Sequence, residues 1–237
     1  FIRPGTDPPY VTKGSGERYR SGRRSALDQF VLHYDVCGTS RKCFDILHHL
    51  RGLSVHFLLD IDGTLYQTMD LGDTAWHATR SNDRSIGVEI AHIGARLPKD
   101  LHQLDEWYTP GREGMRLTLP ERYGDGGVRT RNFEGYAARP RLIEGRINGS
   151  RLLQYDFTDE QYETLCRLLA VLTRELPGLP MRFPRGADGA VKSDVLDEAE
   201  WESFAGILGH YHVQKNKTDP GPAFDWERLQ RAVRELR

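Results

Sequence analysis

The sequence predicts an α/β fold, a single domain built on a central mixed β-sheet flanked by helices and interrupted by a long insertion. Three observations carry this reading. Short apolar runs of strand length alternate along the chain with stretches of helical periodicity. Two of those runs are joined as a hairpin through an Asp-Gly turn. Between residues 96 and 152 neither periodicity is sustained. The division that follows is an extended arm over 1–25 and a domain over 26–237 that contains the 96–152 insertion.

The elements follow in order. FIRPGTDPPYVTKGSGERYRSGRR is rich in Pro, Gly and Arg and reads as an extended arm. QFVLHYD is a buried strand ended by polar residues. SRKCFDILHHLRG reads as a helix with Ser40 at its N-cap and Gly52 as its stop. SVHFLLDIDGTLYQTMD is the hairpin, turning at Ile61-Asp62-Gly63. SIGVEIAHI is a strand too densely apolar for a solvent-facing edge. The 96–152 stretch carries Gly, Arg and Pro with scattered aromatics, Trp107, Tyr108, Tyr123 and Phe133 among them, and a loop this long is usually functional or poorly ordered. FTDEQYETLCRLLAVLTRELP is an amphipathic helix with Thr158 as N-cap and Glu160 or Gln161 near the capping-box position. FDWERLQRAVRELR closes the chain as a helix.

Composition narrows the partners. Apolar residues make 38% and charged residues 28% of the chain, the proportions of a globular protein with a core. The net charge is -1, from 33 basic and 34 acidic side chains, so bulk electrostatics point to neither a nucleic acid nor a membrane surface. No apolar run approaches the ~20 residues of a membrane span. The chain starts at Phe1 without the pattern of a signal peptide, and a processed or trimmed N-terminus is the expectation. Cys166 lies at helical spacing and reads as a core thiol. Cys37 and Cys43 flank GTSRK, where spacing alone fits a short disulfide and two free thiols equally.

The chemistry concentrates in GHYHVQKNKTDPGPAFDW, residues 209–226, with two histidines, two lysines and an aspartate before a Pro-Gly-Pro turn. Catalytic zinc sites use three protein ligands drawn from His, Asp, Glu and Cys. His210 and His212 are spaced to share a face if the segment is a strand, and either can be the ligand. Asp219 follows, before Pro220. A solvated turn, with the aspartate capping something nearby, fits the same spacing. His33, at the end of FVLHYD, is on its own more often a structural histidine than a ligand.

Four blocks in order, FVLHYD, LSVHFLLDIDGTLYQ, DTAWHATRSNDRSIGVEI and GHYHVQKNKTDPGPAFDW, resemble the zinc-dependent N-acetylmuramoyl-L-alanine amidases of the type 2 family, relatives of the peptidoglycan recognition proteins. They cover about residues 29–93 and 207–237, and AWHA, N-x-x-SIGVEI and K-T-D-P-G-P-x-F-D-W are the most specific marks. The subgroup most resembled is the bacterial amidases that act on small muropeptides and anhydromuramyl ends. The resemblance implies Zn²⁺ held by His33, His210 and Asp219, with His212 in a supporting position. It implies Glu89 as the carboxylate that handles the catalytic proton and Lys217 as the oxyanion partner. It places Trp76, His77 and Asn82 in the substrate groove. Where some relatives carry a tyrosine, Val55 stands here, so proton handling rests on Glu89.

The implied activity is hydrolysis of the amide between the lactyl group of N-acetylmuramic acid and L-alanine, in peptidoglycan or muropeptides. The alternatives are a non-catalytic peptidoglycan-binding module, in which a ligand is commonly missing, and a secreted lytic or toxin amidase. Several extracellular relatives carry a short bridge where Cys37 and Cys43 stand, which implies a disulfide and a periplasmic or extracellular location. The recycling amidases, which are cytoplasmic, lack it. The insertion has no counterpart and fits a groove wall, a cover, a glycan contact or a structural flap.

Overall fold

The computed structural model describes residues 19–20 and 25–237. Apart from Tyr19–Arg20 and Ser25, the predicted N-terminal arm lies outside the described residues. Tyr19–Arg20 pairs antiparallel with Thr74–Ala75, immediately before Trp76.

Five strands form the central sheet: β1 (Gln29–Tyr34), β2 (Phe57–Leu59), β3 (Leu65–Gln67), β4 (Ser85–Ile90) and β5 (Gly206–Gly209), in the spatial order β5-β1-β4-β2-β3. The first four in that order run parallel, and β3 returns antiparallel, so the sheet is mixed. β1 is buried along its whole length, as a central parallel strand covered on both faces must be.

Alternation along the strands separates core from site. Phe30 and Leu32 of β1 and Ile86, Val88 and Ile90 of β4 join one large apolar cluster. It is covered by the helices Asp159–Glu175 and Trp226–Glu235, through Tyr162, Leu165, Leu169, Leu229 and Val233. The intervening residues project from the opposite face. There, register sets His33 beside Glu89 and Val31 beside Gly87.

Helix Asp159–Glu175 starts as predicted, with a capping box between Thr158 and Gln161. The turn between β2 and β3 needs its glycine. Gly63 has φ 76, and a Cβ there would lie 2.7 Å from the carbonyl oxygen of Glu160. The helix after β1 differs from expectation at its start. Thr39, not Ser40, is the N-cap, because Thr39 keeps an extended backbone and its side chain accepts from Lys42 N. The helix runs over Ser40–Phe44, widens to π-type over Asp45–Arg51, and stops at Gly52 in the left-handed region.

Residues 96–152 are folded, against the reading of a stretch without regular structure. Tyr108–Gly111, Gly114–Leu117 and Gly135–Tyr136 form a three-stranded sheet, and Ile143–Ile147 with Ser150–Gln154 forms a hairpin. Ile93, Leu104, Trp107 and Tyr108 give the region a small core of its own. Strands of two to five residues are too short for periodicity to register in the sequence. Mutual backbone hydrogen bonds between Arg96 and Leu153, 2.8 and 2.9 Å, close the base of the segment.

Among the described residues no helix is long and apolar enough to cross a membrane. The three cysteines are free, buried thiols, so the Cys37–Cys43 bridge is not formed in the structure. Cys37 Sγ instead donates to Asp35 O at 3.0 Å, and the two sulfur atoms lie within 4.8 Å of each other.

Candidate active site

The site lies at the C-terminal ends of the parallel strands, where side chains from neighbouring strands and the loops after them converge. His33 is the next-to-last residue of β1 and Glu89 that of β4. His210 follows β5 directly. Strand β5 ends at Gly209, so His210 and His212 do not share a strand face as their spacing suggested. They belong to the short helix His210–Val213, in which i, i+2 residues point to different sides.

That difference decides between the two histidines. His210 turns inward, its Nδ1 3.0 Å from Asp219 Oδ2 and 2.9 Å from His33 Nδ1. His33 Nδ1 is also 2.9 Å from Asp219 Oδ2. His212 points away with both nitrogens engaged. Its Nδ1 accepts from Gly209 N at 2.9 Å and its Nε2 donates to Lys192 O at 2.7 Å. With no lone pair left, it cannot bind a metal. Burial, chiefly, pushes the His212 imidazole down to about 3 and keeps it neutral.

His33, His210 and Asp219 thus present three potential ligand atoms in a buried triangle. Gln214 Oε1 lies 2.7 Å from His210 Nε2 and takes its N–H, leaving His210 Nδ1 bare. Burial alone raises the Asp219 carboxyl, but His210 and His33 outweigh it and hold it well below the usual carboxylate range. Burial, then His210, pushes His33 down to about 4. The residues present fit a cation. A tetrahedral zinc ion with bonds of about 2.0–2.1 Å keeps its donors about 3.3 Å apart, so the triangle has only to widen by a few tenths of an ångström.

Glu89 stands against His33 in the strand register, and its Oε2 is buried without a hydrogen-bond partner. Burial, then the charges of Asp219 and Asp35, raise its carboxyl well above the ordinary value, against the pull of Lys217. Lys217 lines the same cleft, about 410 Å³ in volume, together with Glu89, Trp76, His77 and the three candidate ligands.

The remaining predicted residues separate. Trp76 lines the cleft, and its backbone N–H donates to Ser54 Oγ at 2.9 Å. His77 also lines the cleft, but its Nδ1 lies 2.9 Å from His33 Nε2. Asn82, expected in the substrate groove, is buried, and its Oδ1 accepts from the N–H groups of His77 and Ala78 at 3.0 and 2.7 Å. It holds the AWHA turn in shape, because its acceptor is consumed by backbone.

Two residues outside the predicted set position the site. Asn148 Nδ2 donates to Lys217 O at 3.0 Å and to Tyr211 O at 3.3 Å, clasping the loop that carries two of the candidate ligands. Its signal was present in the sequence as Asn148-Gly149, a hairpin turn pair. Asp35 Oδ1 accepts from the N–H groups of Cys37, Gly38 and His92 at 2.8, 3.0 and 3.0 Å, and shapes the chain after His33. No sequence pattern marked it.

Residues 23–120 match the family model described as N-acetylmuramoyl-L-alanine amidase. Over that span the chain is similar to the N-acetylmuramoyl-L-alanine amidases. The amidase match contains His33, Trp76, His77, Asn82 and Glu89 and ends before His210, Lys217 and Asp219, which the fold brings to the same cleft.

Among solved structures the chain is similar to AmpD, at 18% identity over 92% of this chain and 90% of that one, with a TM-score of 0.46. It is similar to AmiD from E. coli, solved with anhydro-N-acetylmuramic acid-L-Ala-D-gamma-Glu-L-Lys, at 16% identity over 90% of this chain and 60% of that one, TM-score 0.48. The amidase LysC from Clostridium intestinale is similar at 16% identity over 88% and 85%, TM-score 0.45. No curated protein matches the sequence.

Proposed function

We propose that this chain is a zinc-dependent N-acetylmuramoyl-L-alanine amidase that cleaves the amide between the lactyl group of N-acetylmuramic acid and L-alanine in peptidoglycan or muropeptides. The observation that carries the reading is the convergence of His33 Nδ1, His210 Nδ1 and Asp219 Oδ2 beside Glu89, whose Oε2 is buried without a hydrogen-bond partner. Two imidazole nitrogens and one carboxylate oxygen are a donor set suited to zinc in a hydrolase. When bound, zinc supplies Lewis acidity, polarising the amide carbonyl and acidifying water.

The chain's own residues do the rest. Glu89 takes the proton of the attacking water and passes it to the departing amine of L-alanine, so its raised proton affinity serves the second half of the task. Lys217, a cation on the cleft wall, stabilises negative charge that grows on the carbonyl oxygen as the tetrahedral state forms. Trp76 and the apolar wall of Ile46, Leu47 and Leu53 give the lactyl-peptide a partly dry surface.

The test is product analysis. The protein is incubated with purified muropeptides and with intact sacculi, with and without a zinc chelator, and products are identified by mass. Release of free stem peptide, abolished by the chelator and restored by added zinc, is the expected result. Intact substrates after incubation with the zinc-loaded protein would overturn the reading.

A further inference from the structure

A chain of hydrogen bonds runs away from the metal triangle through His33. His33 Nε2 lies 2.9 Å from His77 Nδ1, His77 Nε2 lies 3.2 Å from Ser85 Oγ, and Ser85 Oγ donates to Ser81 O at 2.6 Å. The direction of every proton in it is fixed from the far end. The Ser81 carbonyl can only accept. The single hydroxyl proton of Ser85 therefore goes to Ser81, and the Ser85 oxygen can only accept from His77 Nε2–H. His77 is then the tautomer with a bare Nδ1. That atom faces His33 Nε2, so the proton between them sits on His33 Nε2. His33 is left with a bare Nδ1, the atom 2.9 Å from Asp219 Oδ2 and from His210 Nδ1.

We propose that His77 is a positioning residue for the metal centre, which fixes the tautomer and ring orientation of His33 by accepting its Nε2–H. This rests on the reading of His33, His210 and Asp219 as the metal site. It replaces a groove role for the His77 side chain with one directed at the ligand. The surrounding structure is built for it. The two rings meet edge to face at 82°, with centroids 5.1 Å apart. Gly87 makes the room, since a Cβ there would lie 2.5 Å from His77 Nδ1. Asn82 clamps the backbone N–H of His77. Groups that hold the second nitrogen of a ligating histidine typically contribute 10- to 100-fold to metal affinity.

The test measures zinc affinity by competition with a chromophoric chelator, in the absence of substrate, on the full chain and three variants. His77→Leu removes the acceptor and should weaken zinc binding about 10- to 100-fold. His77→Asn places an oxygen acceptor near the position of Nδ1 and should recover most of that loss. Ser85→Ala frees the far end of the chain and should weaken binding by a few-fold. Steady-state kinetics on zinc-saturated protein should then show the defect of His77→Leu in kcat rather than in KM, with His77→Asn intermediate. Unchanged zinc affinity in His77→Leu, with a raised KM, would overturn the inference and return His77 to the substrate groove. Equal loss in His77→Asn and His77→Leu would also overturn it. Because affinity is read without substrate, an inactive but zinc-binding chain would sink the amidase reading alone. A chain that binds no zinc would sink the metal reading and this inference with it.

Discussion

At the scale of single residues, the site separates side chains that could serve from those that can. His212 is one position beyond Tyr211 in the same short helix as His210, yet both its nitrogens are committed to Gly209 N and Lys192 O. Replacing His210 with Ala should therefore remove the metal, while His212→Gln should keep it. The His212 change should instead cost about 1–3 kcal/mol of stability, because it disturbs a fully buried hydrogen-bonded group. Metal content by elemental analysis and urea unfolding of both variants check the pair, and zinc lost from the His212 variant but kept by the His210 variant would reverse the assignment. Glu89→Gln preserves shape and removes the proton acceptor. It should retain zinc and lower kcat by about 10²-fold or more, read in the muropeptide assay. Lys217→Ala should also retain zinc and lower kcat, by about 10²- to 10³-fold.

At the scale of elements, the ligand loop is held by a hairpin distant in sequence. Asn148 sits at its turn with φ 49, and its side chain reaches the loop at Tyr211 O and Lys217 O. Asn148→Ala loses these bonds and puts in the left-handed region a residue that lacks asparagine's tolerance of it, at a further cost of about 1 kcal/mol. Asn148→Gly loses the bonds without that penalty. Both variants should bind zinc about tenfold more weakly if the clasp positions the ligands. Unchanged affinity in the glycine variant would confine Asn148 to hairpin stability. The segment after β1 carries a second element-scale expectation. Cys37 and Cys43 face each other as thiols on the cleft wall, so mild oxidation should close them into a disulfide, as the resemblance implies for a protein working outside the cytoplasm. Intact-mass measurement after alkylation, with and without reductant, distinguishes one remaining reactive thiol from three.

At the scale of the whole molecule, buried neutral histidines link stability to pH. Burial pushes His92 down to about 3 and His48 down to about 4. In the unfolded chain both titrate near 6.5. Between 6.5 and those lower values the unfolded state binds protons that the folded state refuses. The stabilisation is therefore complete above about pH 6.5 and is lost as pH falls toward 3–4. From pH 7 to pH 5 each histidine should remove about 2 kcal/mol. Urea unfolding at the two pH values tests this, and His92→Gln should flatten the slope. A slope unaffected by that substitution would show that other groups govern acid stability.

Much of the fold was legible before any coordinate. The Asp-Gly turn, the capping box at Thr158 and the stop at Gly52 are local devices, each specified by residues a few positions apart. The candidate ligands were legible too, though through resemblance; spacing left His210 and His212 equivalent. What sequence left open depends on distance in the chain. His33 meets His210 and Asp219 across 177 and 186 residues. Only the pairing of β1 with β4 and β5 brings them to one edge of the sheet, beside Glu89. The end of β5 at Gly209 turned His210 inward and His212 outward, a choice of backbone geometry that residue spacing cannot express. Folding of residues 96–152 was likewise hidden, since very short strands leave no period and their small core is assembled from scattered aromatics. By itself, then, the sequence determined the local structure and the inventory of reactive groups, because turns, caps and side-chain chemistry are short-range properties. The tertiary structure alone decided which of those groups meet, and which nitrogen of each histidine faces the centre, because partners for both ring nitrogens come from other parts of the chain.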